Sequence, residues 1–158
     1  MKTKLMIWTT VRIGTIKSLE NVDDLLDGFV SIRTWFKDQT IGLAQSELEL
    51  DLVKIKGGDL FMTDRYSRRE ICTMALTLGL ELCPAEVALA LVTQDKIPSR
   101  STEINIGSEE SVGGRSDVFM SVNSRLGAIC LNSYVDPSEG FDDYSDWVFV
   151  KPRKQERQ

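Results

Sequence analysis

Residues 5–13 read LMIWTTVRI, a run of β-branched and aromatic types that stops at Gly14 and predicts a strand followed by a turn. Ser18 then precedes LENVDDLLDGF, where Leu19, Val22, Leu25, Leu26 and Phe29 recur at helical spacing while the acids fall on the opposite face. Ser31, Ile32, Trp35 and Phe36 predict a second, shorter helix that ends near Gly42 and turns its Trp to the core. Residues 47–55, ELELDLVKI, alternate acidic and apolar types before the turn at residues 56–59. That alternation predicts a half-buried strand with its acids toward water.

Residues 67–79, SRREICTMALTLG, open on a Ser67/Glu70 capping box, which satisfies backbone donors at a helix start. Ile71, Met74, Ala75 and Leu78 share one face, and Gly79 stands where a left-handed residue would end the helix. The stretch LGLELCPAEVALALV, residues 78–92, therefore reads as a corner. Gly79 terminates, Leu80 and Leu82 fasten the exit to the core, and Pro84 begins the next helical turn. Glu86 then complements the dipole of that helix as an early-turn acid.

After Pro98 the texture changes to short β-rich runs, TEINIG, DVFMSV, LGAICLN and DWVFV, separated by Gly, Ser, Asn and Asp clusters. This is the pattern of an antiparallel meander. The expected class is α+β: an N-terminal strand and helices packed on a mainly antiparallel C-terminal sheet. A chain of 158 residues suits one domain, here residues 1–150, followed by a basic tail over 151–158 that lacks a core pattern and reads as disordered.

Composition narrows the chemistry. The chain contains no histidine, which removes Ser-His-Asp triads, Cys-His pairs, HExxH zinc sites and imidazole general bases. Cys72, Cys83 and Cys130 follow no zinc-ligand spacing and read as buried, reduced thiols of a cytosolic protein, with a Cys72–Cys83 bridge as the alternative. The net charge of -5 offers no basic face for nucleic acid or anionic lipid. There is no run of ~18 apolar residues for a membrane span, and the first residues lack a signal-type cleavage site. Residues 107–117 carry three glycines without a dinucleotide or P-loop spacing and read as a mobile hairpin tip. Glu49, Asp51 and Lys54 suggest a nuclease-like set, but the lysine spacing puts it on the wrong strand face.

One loop concentrates candidate chemistry. DPSEGFDDYSDW places Asp136, Glu139, Asp142, Asp143 and Asp146 beside Phe141, Tyr144 and Trp147. As a protein-binding surface it would use Phe141, Tyr144, Asp142 and Asp143, because aromatic anchors dominate interface energy. As a hard-cation site it would use Asp136, Asp142 and Asp146, although the EF-hand order is absent. Trp147, at the start of a strand, is expected in the core.

The run LGLELCPAEV resembles a family of small phage and bacterial proteins whose pattern includes ELGLELCPAEV. The likeness extends in order through VRIGTIKS, ELDLVKI and WVFVKPRK, nearly the whole chain. Relatives continue with an arginine and a tyrosine where this chain has Val92 and Asp95. No activity attaches to the family, so the resemblance implies an intact cytosolic domain of phage or bacterial source and names no reaction. The reading that results is a cytoplasmic, non-enzymatic protein that binds a protein partner, with no cofactor, nucleic acid or membrane. A phage accessory factor acting on a host component is its specific form. A carboxylate- or metal-dependent hydrolase using residues 136–146 is one alternative, and an acidic nucleic-acid mimic, with 24 acids against 19 bases, is another.

Overall fold

The structure, a computed structural model, describes residues 5–15, 44, 46–60, 65–84, 86–94, 96–97, 103–108, 118–123, 128–133, 141 and 144–153. The helices expected over residues 18–42 and the loop at 109–117 lie outside the described residues, as do residues 134–140, 142–143 and 154–158.

Six strands form one sheet: β1 (Thr9–Ile13), β2 (Leu48–Lys56), β3 (Glu103–Ile106), β4 (Val118–Asn123), β5 (Ala128–Ser133) and β6 (Asp146–Lys151). Their spatial order is β1-β2-β6-β3-β4-β5. The class is α+β, as the sequence indicates, but the sheet is mixed. β3, β4 and β5 do form an antiparallel meander, whereas β6 inserts between β2 and β3, antiparallel to the first and parallel to the second. The N-terminal strand also joins this sheet and does not pack on it as a separate layer. The physical reason lies in β6 itself: its four central residues, Trp147, Val148, Phe149 and Val150, are apolar and buried, and such a run needs cover on both faces, as an inner strand of a sheet has.

Each face of β6 meets a different helix. Trp147 and Phe149 join Val53, Ile55, Ile71, Cys72 and Ala75 in a cluster with helix α1 (Arg68–Thr77). Val148 and Val150 join Leu52, Ile104 and Ile106 in a cluster with helix α2 (Glu86–Thr93). Every residue of α2 from Val87 to Leu91 is buried, so this helix has no polar stripe to turn to solvent. The sheet supplies the missing cover by curling, since α2 lies against β1 at one end of the strand order and against β4 and β5 at the other.

The chain must pass from one face to the other between α1 and α2, and residues 78–84 are that passage. Ser67 caps α1 by accepting from Glu70 N at 3.1 Å, while the Glu70 carboxylate accepts the serine hydroxyl at 3.2 Å. The far end closes as a Schellman motif, with Leu80 N donating to Ala75 O and Gly79 N to Leu76 O, both at 3.0 Å. Gly79 has φ +86°, a left-handed conformation that a side chain would oppose. Leu80 is buried against α1, whereas Leu78, read on one face with Ile71 and Ala75, is 38% exposed because it sits at the cap, after the last full turn. Glu81 then pairs with Val150 through both backbone bonds, at 2.8 and 2.9 Å, and Cys83 N donates to Gly107 O at 2.7 Å. The corner thus extends the β6 edge beyond β3 and delivers Cys83 to the α2 cluster.

Glu86 has a role that its position in the sequence does not reveal. It is buried, its Oε2 accepts from Gly14 N, and its Oε1 accepts from Ala44 N at 3.2 Å. Gly14, at φ +80°, turns the chain out of β1 at this point. Cys72 and Cys83 are free thiols, both buried, and burial pushes the Cys83 thiol up. Cys130 is described as part of the β5 backbone.

Leu80 anchors the crossing more deeply than Leu82, which is only half-buried. Leu80→Ala is expected to cost roughly 2–5 kcal/mol, as for other emptied leucine sites, and Leu82→Ala less. Urea unfolding of the two variants measures both; equal costs would mean that the crossing is not held by burial of Leu80.

Candidate functional site

The acidic-aromatic loop enters the fold through Phe141. Its backbone pairs with Tyr66, with Phe141 N donating to Tyr66 O at 2.9 Å and Arg65 N to Phe141 O at 2.8 Å. Its half-buried ring stacks on Tyr66 at 5.9 Å between centroids and meets Trp147 edge-on at 4.7 Å. Trp147 in turn lies 6.4 Å from Phe149 and donates its indole N–H to the Tyr66 hydroxyl at 3.0 Å. Such a cluster satisfies the polar edges of buried aromatic rings while filling the core. Trp147 is fully buried, as its position at a strand start indicated.

The two aromatic residues expected to share a partner surface are therefore separated by the fold. Phe141 is engaged with Tyr66 and Trp147, whereas Tyr144 is 76% exposed. The turn that carries Tyr144 is held at its far end as well. Gly57 N donates to Ser145 O at 3.1 Å, and Lys56 Nζ lies 3.3 Å from an Asp146 carboxylate oxygen. Asp146, a candidate cation ligand by sequence, opens β6 and faces that lysine. Asp136, Glu139, Asp142 and Asp143 lie outside the described residues. Among the described residues no group of three His, Cys, Asp or Glu side chains is placed to hold a metal.

A second polar cluster covers the sheet face beyond α1. Arg153 donates from Nε to Asp51 Oδ2 at 2.9 Å and from Nη2 to Asp51 Oδ1 at 3.0 Å, and its Nη2 also reaches Glu49 Oε2 at 3.1 Å. Arg12 reaches Glu49 Oε1 at 3.1 Å and Glu47 at 3.8 Å, and the Thr10 hydroxyl donates to Asp51 at 2.8 Å. Arg153 belongs to the segment read as a disordered tail, yet Lys151 ends β6, its Nζ donates to Leu5 O at 2.9 Å, and Arg153 clasps β2. The side chain of Asp51 is only 13% exposed, so this acid faces an arginine more than water.

The hydrogen bonds from Arg12 and Arg153 hold the Glu49 carboxyl below its usual range. Those from Arg153 and Thr10 do the same for Asp51. A carboxylate kept ionised by fixed cations is a poor general acid at neutral pH, and the two arginines tie β2 to β1 and to the segment after β6. Lys54, the third member of the nuclease-like set, lies on the opposite face, its Nζ 5.0 Å from the Trp8 ring centroid. Sequence spacing identified that mismatch. The Arg153 contacts span more than a hundred residues, and no local pattern signals them.

No protein-family model, curated protein or solved structure matches the chain.

The clasp gives a pH dependence of defined sign. The folded-state pKa of Asp51 is depressed, so its contribution is present above the unfolded carboxylate value of about 4 and is lost as pH falls through the lowered folded value. In Arg153→Gln the Asp51 midpoint is expected to rise toward the ordinary range. Carboxyl-carbon NMR titration reads it directly, and an unmoved midpoint would mean that Arg153 does not clasp Asp51 in solution.

Proposed function

We propose that the protein acts in the cytoplasm by binding another protein, with Tyr144 as an anchor of the contact surface. The observation that carries this reading is the exposure of Tyr144 on a turn whose two ends are secured to the fold. An anchor held this way loses little conformational entropy on binding, and tyrosine is among the residues enriched at interface hot spots. Asp142 and Asp143 precede it in sequence and would give the surface an acidic character suited to a partner with basic residues. The phage or bacterial source implied by the sequence pattern would make that partner a bacterial protein, and the chain an accessory factor acting on it. Phe141, stacked on Tyr66 and edge-on to Trp147, secures the start of the turn.

Capture from bacterial lysate, followed by titration of the identified partner, tests this reading with two variants. Tyr144→Ala is expected to keep the wild-type melting curve and to weaken the complex by ~2 kcal/mol or more, the scale of an aromatic anchor. Phe141→Ala is expected to lower thermal stability, because its ring completes the Tyr66–Trp147 cluster. Binding unaffected by Tyr144→Ala would refute the assignment. Stoichiometric calcium, magnesium or manganese binding that disappears in Asp142→Asn and Asp146→Asn would transfer the loop to a metal-dependent role.

A further inference from the structure

Among the described residues β1 is an outer strand of the sheet, and such a strand presents unpaired backbone groups that invite another strand. At Arg12 those groups are occupied by one side chain. Arg12 N donates to Gln94 Oε1 at 3.0 Å, and Gln94 Nε2 donates to Arg12 O at 2.6 Å. A carboxamide carries the same donor and acceptor pair as a peptide unit, so Gln94 takes the place that a residue of a neighbouring strand would fill. Two residues on, Gly14 N is taken by Glu86. Side chains from the first residue of α2 and from just beyond its last thus cover successive backbone positions of the β1 edge.

We propose that the outer edge of β1 is a strand-pairing site for a second copy of this chain, held closed in the monomer by Gln94. This surface is independent of the Tyr144 contact. The strand suits its own copy: an antiparallel pairing about a two-fold axis at Val11 sets Thr10 opposite Arg12 and Thr9 opposite Ile13. Threonine, valine and isoleucine all favour strands, and no two arginines stand directly opposite. In this register the backbone of Arg12 meets that of Thr10 in the other copy, through the groups that Gln94 now occupies. Exposed apolar residues flank both ends of the edge. Met6 and Ile7, 64% and 50% exposed, precede β1, and Leu48, 54% exposed, lies opposite Ile13. Opening requires one half-buried side chain to rotate away, and strand pairing restores the two hydrogen bonds that Gln94 gives up. The exchange is balanced in hydrogen bonds, and the apolar flanks favour the paired state.

Sedimentation equilibrium on the full chain, wild type and Gln94→Ala, tests the proposal together with exchange of the Arg12 amide over a concentration series. Gln94→Ala is expected to self-associate about tenfold or more tightly than wild type, since two bonds no longer have to be broken first. Its Arg12 amide is expected to exchange quickly in dilute solution and to become protected as the protein is concentrated. If circular dichroism shows that this variant does not fold, Gln94→Leu, which retains the packing of the side-chain stem, is measured in its place. A folded variant that associates no more tightly than wild type overturns the proposal. So does association that leaves the Arg12 amide equally exchangeable at all concentrations.

Discussion

The fold depends on the burial of α2. Five consecutive residues, Val87 to Leu91, are withdrawn from water, and an eight-residue helix that is apolar on every side cannot rest on a flat sheet without exposing half of itself. The sheet curls so that strands at opposite ends of its order, β1 on one side and β4 and β5 on the other, reach the same helix. Once the concave face is occupied in this way, the opposite face of the central strands is left to α1, and β6 acquires its second layer of cover.

Two polar devices follow from that arrangement. A helix enclosed by a sheet has ends close to backbone groups that lack partners, and the side chains at those ends complete them. Glu86 reaches Gly14 and Ala44, and Gln94 reaches Arg12. The Gly14 bond is buried, where an unpaired group would cost more than a typical hydrogen bond contributes, whereas the Arg12–Gln94 pair lies at the exposed edge. The same helix that fills the core therefore also finishes the edge of β1.

The connection between the helices explains why the run around Gly79 and Pro84 looks like a motif. A chain that crosses from one face of a sheet to the other must stop one helix abruptly, bond its own backbone during the crossing, and start another. Gly79 does the first and residues 81–83 the second through Val150 and Gly107, while Pro84 O accepts from Val87 N at 3.0 Å in the third. These are mechanical requirements of the crossing, and they account for the glycine and the proline.

Local signals in the sequence determined what local physics controls. The Ser67 cap, the Gly79 terminus, the strand at β1, the three strands of the meander and the buried position of Trp147 follow from propensity, capping and periodicity over a few residues. The polar, acidic loop set Phe141 and Tyr144 on one surface by sequence, and only Tyr144 is exposed. Tertiary structure alone decided the place of β6 between β2 and β3, the curl around α2, the partners of Glu86 and Gln94, the attachment of Phe141 to Tyr66, and the Arg153 clasp on β2. Each of these joins residues dozens to more than a hundred positions apart. Their pairing is chosen by which apolar surfaces must be covered together and which backbone groups are left without partners. Those quantities exist only once the chain has closed on itself.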